Sequence, residues 1–139
     1  MVDWLALLIS LVAIAISGLG YRVAREGNRA AIFDRRFEVY DDAEQFIGAW
    51  MRDAKPDLSS QLRNLIGAWS RSHFLFDAPV TTYLRQLWLD AVDADYARQV
   101  IAGEVPGDRQ KAIEKSHELL LKHANFDKLR NTFLPHMKI

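Results

Sequence analysis

Cysteine is absent from the 139 residues, so the chain has neither a disulfide framework nor a thiolate site. This absence fits a reducing compartment. No charge of one sign is in excess either, because Lys and Arg number 18 and Asp and Glu also number 18, for a formal net charge of zero. Nucleic-acid binding needs a basic surface that neutralises phosphates, so the balanced charge argues against a nucleic-acid partner.

Recognisable catalytic and metal-binding patterns are also missing. The glycines do not cluster into a phosphate loop, and the serines lack the context of a nucleophile elbow or a triad. Glu114 and His117 have the Glu-x-x-His spacing of di-metal bundle sites, but the sequence contains no second such pair. His123 lies six positions after His117, about 120° round a helix, and cannot join it. We therefore expect no metal and no cofactor.

Acidic residues form two clusters, one of Asp41, Asp42 and Glu44 and the other of Asp90, Asp93 and Asp95. A carboxylate can act as an acid or a base when burial raises its pKa. Basic residues such as Arg36 and Arg98 lie near these clusters, and this pattern is typical of solvated helix faces. We interpret both clusters as solvated faces and expect the protein not to be an enzyme.

One long hydrophobic run lies at the N-terminus, although the mean hydropathy of the chain is only −0.11. Residues 4–21 read WLALLISLVAIAISGLGY, 18 positions without a charged side chain. A helix of this length spans about 27 Å, close to the hydrocarbon core of a bilayer, and Trp4 and Tyr21 occupy its two ends as interfacial rings do. The run predicts a transmembrane anchor over residues 1–24, with a buried helix of a soluble protein as the alternative.

Charges on either side of the run predict its orientation. A cleavable signal peptide has positive charge before its apolar stretch, whereas the only early charged side chain here is Asp3. The residues after the run carry a net charge of +3 from Arg22, Arg25, Arg29, Arg35 and Arg36 against Glu26 and Asp34. The positive-inside rule then predicts a single-pass inner-membrane protein with its N-terminus outside and residues 25–139 in the cytoplasm.

Three of these arginines, Arg22, Arg25 and Arg29, lie nearest to the run. Juxtamembrane basic side chains attract anionic lipid headgroups, so membrane lipid is one expected partner. We favour a simpler role for them in setting the topology.

Small side chains recur along the run at spacings of 4, 3, 4, 3 and 4, at Ala6, Ser10, Ala13, Ser17, Gly20 and Ala24. These six residues, which we call the small-residue stripe, share one side of a helix. In lipid, small residues let two helix backbones approach closely, so the stripe predicts packing against a second copy or another protein. The alternative is that it is accidental, because Ala, Ser and Gly are ordinary in membrane helices.

The segment after the anchor continues with helical spacing. Its predicted apolar face consists of Phe33, Phe37, Tyr40, Ile47 and Met51, widened by Phe46 and Trp50. Pro56 lacks a backbone N–H and restricts the residue before it, so this helix is expected to end near Lys55.

Three further helices and a short terminal one are predicted, and no segment alternates with period two as a strand does. Their expected N-caps are Asp57 or Ser59, then Asp77 before a proline-led start, then Asp108, and finally Asp127. The second helix fades between Ser70 and His73, the third runs toward Ile101, and the fourth ends at Asn125. A turn over 103–107 separates the third from the fourth, and Pro135 closes the last.

The predicted fold is all-α, with a single N-terminal transmembrane helix followed by an antiparallel bundle of about four helices. The residues expected in its core are Phe33, Phe37, Tyr40, Trp69, Leu84, Leu87 and Trp88.

The chain resembles a group of small, functionally uncharacterised bacterial inner-membrane proteins with one N-terminal span. The resemblance lies in the phrase Ile32–Tyr40 (IFDRRFEVY), in Phe74-Leu75-Phe76 followed by Tyr83-Leu84, and in the ending Phe133-Leu134-Pro135. It covers most of the chain and implies an anchored helical domain, but no activity, cofactor or catalytic residue.

Three hypotheses for the function follow. The first is a membrane-anchored, non-enzymatic interaction module, a small subunit or adaptor that presents a helical domain at the cytoplasmic membrane face. The second is a ligand- or lipid-responsive sensor with a pocket near Trp50, Trp69 and Trp88. The third is an enzyme with an unrecognised carboxylate site.

Overall fold

A computed structural model of the protein describes residues 2–53 and 60–138. Over these two ranges the chain is all-helical and contains no strand, which confirms the predicted all-α class for the described part. The helices are α1 (Val2–Asp53), α2 (Gln61–Leu75), α3 (Ala78–Ala102), α4 (Arg109–His123) and α5 (Phe126–Phe133), followed by a 3-10 helix at Leu134–His136.

The chain divides into two compact units, one that ends at Asp34 and one from Arg35 to Lys138. In the first unit α1 passes Gly27 without interruption. Its large apolar side chains between Trp4 and Val23 are 57–75% exposed. Among the described residues α1 is the one helix that is long and apolar enough to cross a membrane, which makes it a candidate span.

The second unit has one main hydrophobic core to which all five helices contribute. Leu84 and Leu87 are fully buried there, as predicted, and Tyr40, Trp69 and Trp88 pack against the core while remaining partly exposed. Its buried side chains include Val39, Ala43, Phe46, Ile47 and Trp50 from α1, Leu65 and Ala68 from α2, Val80, Tyr83 and Ala91 from α3, Leu119 from α4, and Leu129 and Phe133 from α5.

The buried face of α1 matches the predicted one at Phe46, Ile47 and Trp50 but differs from it at Phe37. Phe37 is 49% exposed, whereas Val39 and Ala43 are fully buried, so the prediction that Phe37 lies in the core is wrong. Phe33, the other predicted core aromatic of this segment, is half-buried and belongs to the unit that ends at Asp34. Positions 37 and 39 are about 200° apart on a helix, so burial of Val39 turns Phe37 outward.

Helix α2 is longer than the sequence predicts. It continues to Leu75 rather than fading between Ser70 and His73. The Ser72 hydroxyl donates to the Trp69 carbonyl of the same helix at 2.6 Å. The Phe76 N–H donates to the Ser72 carbonyl and closes the helix. The predicted end of α1 at Lys55 and the predicted caps Asp57 and Ser59 lie outside the described residues.

The later helix boundaries are mostly as predicted. Asp77 precedes α3 and Pro79 lies in its first turn, although the Asp77 side chain makes no capping hydrogen bond. Gly103 ends α3 with a left-handed φ of 77°, which glycine adopts without steric cost. The Asp108 side chain accepts the backbone N–H groups of Gln110 and Lys111, so the predicted cap of α4 is confirmed.

The predicted cap of the last helix is wrong. The Asn125 side chain accepts the backbone N–H of Asp127 at 2.9 Å, so Asn125 is the N-cap and Asp127 lies in the first turn of α5. Both residue types cap helices well, and the position of the turn that follows α4 decides between them. Helix α5 ends at Phe133, before Pro135.

Candidate functional site

The residues predicted to have a role in the membrane all lie on the exposed surface of α1. This holds for the small-residue stripe and for Arg22, Arg25 and Arg29. The Ser10 hydroxyl donates to the Ala6 carbonyl at 2.8 Å. This hydrogen bond satisfies the Ser10 side chain, which water could not do within lipid. No contact within the described chain tests the stripe or the arginines, so their roles stay predictions.

A buried polar cluster joins α3 to α4 in the second unit. Asp90 and His123 are each 4% exposed, and His123 Nε2 lies 2.7 Å from an Asp90 carboxylate oxygen. Lys122 Nζ lies 2.6 Å from the same oxygen, and the Gln86 amide donates to the other oxygen at 2.8 Å. The Trp50 ring of α1 packs on the imidazole with a centroid distance of 5.6 Å. Three helices therefore hold His123 in place.

Electrostatics define the protonation state of this cluster. Burial by itself raises the pKa of Asp90, but hydrogen bonds from Lys122, His123 and Gln86 outweigh it, so the net pKa lies below its ordinary value. Burial lowers the pKa of His123, and the opposing hydrogen bond from Asp90 does not restore it. Asp90 is thus ionised and His123 neutral near pH 7. A carboxylate only accepts hydrogen bonds, so the imidazole proton resides on Nε2.

The remaining ring nitrogen, Nδ1, is a lone-pair acceptor. It is buried and makes no hydrogen bond within the described part of the chain. Buried polar atoms without a partner are uncommon because each carries a desolvation cost of about 1–3 kcal/mol. An oriented imidazole with one free acceptor can take a hydrogen bond or a proton from a bound molecule.

The His123 ring forms part of the wall of an open cavity of about 550 Å³. The other described residues that line it are Pro79, Thr82, Tyr83, Gln86, Lys128, Asn131, Thr132, Pro135 and His136. Burial, with a smaller effect of Tyr40, raises the pKa of Tyr83 to about 12, so its hydroxyl keeps its proton. The cavity size lies in the range of small-molecule sites.

The neutral state of His123 predicts a dependence of stability on pH. Its pKa in the folded protein is below the ordinary 6.5, so between these two values the unfolded chain binds a proton that the folded chain does not. Stability is therefore full above pH 6.5 and falls as the pH decreases below it. The charges of Lys122 and Lys128 lower the pKa of His123 further, whereas Asp90 raises it.

Thermal unfolding of the full-length protein in mild detergent, followed from pH 7.5 to pH 5, measures this dependence. We expect the loss of Tm on acidification to be smaller in His123→Gln, whose neutral amide still donates to Asp90. The Asp90 carboxylate titrates below this window and does not obscure the comparison. Parallel pH curves for the two proteins would contradict a neutral, buried His123.

Sequence reasoning did not identify this cluster, and its interpretation of Asp90 as part of a solvated face is wrong. Asp90 is buried, whereas Asp93 of the same cluster is exposed. One signal was available, because Asp90 continues the buried spacing of Tyr83, Leu87 and Ala94 along α3. A charged residue at a core-facing position indicates a buried partner. The sequence does not reveal that the partner is His123.

The three tryptophans expected near a ligand pocket lie in two separate ring contacts. Trp69 and Trp88 stack on each other at 5.9 Å with an interplanar angle of 12°. Trp50 packs on His123 and Phe46 instead. Trp50 therefore lies behind the imidazole of His123, and Trp69 and Trp88 form a second aromatic contact between α2 and α3.

Comparison of the chain with protein-family models, with curated proteins and with solved structures found no significant match. The resemblance to small inner-membrane proteins accordingly stays a prediction. Among the described residues no group of three or more His, Asp or Glu side chains is arranged to hold a metal ion. Any argument about function therefore rests on the residues themselves.

Proposed function

We propose that the protein is a membrane-anchored, non-enzymatic interaction module, a small subunit or adaptor that presents its helical bundle at the cytoplasmic face of the inner membrane. The observation that carries this proposal is the uncovered apolar surface of α1. Large apolar side chains from Trp4 to Val23 are exposed on every side of the helix. Soluble monomers rarely expose so large a contiguous apolar surface. We therefore expect a membrane or a protein partner to cover it.

Charge supports the proposed orientation. Asp3 precedes the apolar run, and Arg22, Arg25 and Arg29 follow it on the same helix. Basic residues stay on the cytoplasmic side of single spans, which leaves the N-terminus outside. The resemblance to bacterial inner-membrane proteins points to the same arrangement.

The small-residue stripe supports a protein partner within the membrane. Its six residues fall within about 40° of one line along the helix, at 100° per residue. Ala15 lies on the opposite side, about 180° from Ala6, among bulky side chains. Helices in lipid associate through close packing of small residues, so the stripe is the surface that we expect to meet a second copy or another protein.

Native mass spectrometry of the protein extracted from its own membranes in mild detergent tests this proposal. We expect a complex heavier than the 15.9 kDa chain. Leucine on the stripe, as Ala13→Leu with Ser17→Leu, should weaken the complex about tenfold, because the larger side chains keep the two helix backbones apart. A tenfold change corresponds to a loss of about 1.4 kcal/mol.

Ala15→Leu is the matched control, since it adds the same side chain to the opposite side of the helix. We expect it to leave the complex unchanged. A monomer in the wild type, or an effect of Ala15→Leu as large as that of the double stripe variant, would contradict association through the stripe. Recovery of the chain in the soluble fraction would contradict the anchor itself.

A further inference from the structure

The cavity beside His123 has features of a ligand site that the interaction role does not use. Its walls come from α3, α4, α5 and the 3-10 helix, so it lies entirely within the unit from Arg35 to Lys138. An inference about this cavity therefore does not rest on the proposed association through the anchor.

The His123 ring, which forms part of the wall, has one buried nitrogen without a hydrogen-bond donor among the described residues. Asp90 occupies Nε2 of His123, which leaves Nδ1 as an acceptor without a partner in the described chain. The imidazole cannot turn over to exchange its nitrogens without breaking the bond to Asp90 and the packing against Trp50. A hydroxyl group of a bound molecule would satisfy Nδ1, whereas a purely anionic or apolar molecule would not.

The charge of the wall favours an anion. None of the described residues that line the cavity is acidic, and Lys128 lies among them without an ion-pair partner in the described chain. Lys128 is close enough to His123 to lower its pKa. The Asn131 amide supplies a further donor near Lys128, one helical turn away on α5. A Lys ammonium group can hold a carboxylate through a charge-assisted hydrogen bond, and an amide N–H can add a second hydrogen bond.

Apolar surface forms the rest of the cavity. Pro79, Pro135 and the Tyr83 ring contribute to its lining. Binding sites for small organic molecules typically combine apolar walls with a few oriented polar groups.

We propose that this cavity binds a small organic carboxylate that carries a hydroxyl group and an apolar body. The hydroxyl donates to Nδ1 of His123, and the carboxylate lies against Lys128 and Asn131. Asp90 acts as a positioning residue, because it fixes the tautomer and orientation of the imidazole without lining the cavity.

The test uses full-length protein labelled with ¹⁵N at histidine, in mild detergent at pH 7.5, observed by long-range ¹H–¹⁵N correlation. His123→Gln assigns the resonances of His123 among the four histidines. The probes are 2-, 3- and 4-hydroxybenzoate, which vary the separation between hydroxyl and carboxylate, and benzoate, which lacks the hydroxyl. We expect at least one isomer to move the Nδ1 resonance upfield in a saturable way, and benzoate to leave it in place.

Lys128→Met should weaken binding of that isomer about tenfold, because a charge-assisted contact is lost. Lys115→Met is the matched control, since Lys115 lies outside this cavity, and it should not change the affinity. The proposal is overturned if no isomer moves the resonance, if benzoate moves it equally, or if Nδ1 carries the proton in the free protein. Equal effects of the two lysine variants would overturn the carboxylate assignment.

Discussion

Replacement of Trp50 by alanine is expected to lower the free energy of unfolding by about 4 kcal/mol, the largest single effect in the bundle. Trp50 is 1% exposed and lies between the Phe46 ring at 6.0 Å and the His123 ring at 5.6 Å. Its removal leaves a cavity in the middle of the core and exposes the buried imidazole. Denaturant unfolding of the full-length protein in mild detergent measures the loss.

Phe37→Ala is the control for Trp50→Ala, since it truncates an aromatic residue on the outward side of the same helix. Phe37 is 49% exposed and packs against Tyr40 with a ring centroid distance of 6.1 Å. We therefore expect Phe37→Ala to lower the free energy of unfolding by less than about 1.5 kcal/mol. Similar losses at the two positions would contradict the face of α1 that the structure buries.

Replacement of Asp90 by alanine is expected to lower the free energy of unfolding by about 3 kcal/mol. The substitution removes the acceptor of His123 Nε2, which remains buried and cannot recover the bond from water. Lys122 is 39% exposed and can return to solvent, so most of the cost arises at the imidazole. The same unfolding measurement in mild detergent gives this value.

Two variants control the Asp90 experiment. Asp93→Ala removes an exposed carboxylate from the same helix and should change the stability by less than about 0.5 kcal/mol. Asp90→Asn keeps an acceptor oxygen for His123 but removes the charge. Its free energy of unfolding should therefore lie between those of the wild type and Asp90→Ala. If Asp90→Ala proved as mild as Asp93→Ala, the buried cluster would not hold α3 to α4.

Local signals in the sequence predicted much of the helical architecture. Asp108 before α4 and Pro79 in the first turn of α3 mark real helix starts, because capping and proline geometry depend on residues next to one another. Asn125 and Asp127 show the limit of such signals. Two good caps two positions apart are equivalent locally, and the path of the chain after α4 selects Asn125.

The buried side of a helix was less accessible from sequence. Large aromatic residues marked α1 as amphipathic, but the core uses Val39 and Ala43 and leaves Phe37 half-exposed. The predicted face is correct at Phe46, Ile47 and Trp50, which are buried, and fails only toward Phe37, which turns outward. Which side of a helix is buried depends on the other helices that pack against it, and the sequence of one helix does not specify these contacts.

The long apolar helix at the N-terminus, the helical class of the rest of the described chain and most of its helix boundaries could be predicted from the sequence alone. Each of these follows from composition and spacing over a few turns of chain. The meeting of Asp90 and His123 in the core beside an open cavity, 33 positions apart in the chain, is seen only in the folded protein. Their contact depends on how α3 and α4 pack, and long-range packing brings together side chains that no local pattern connects.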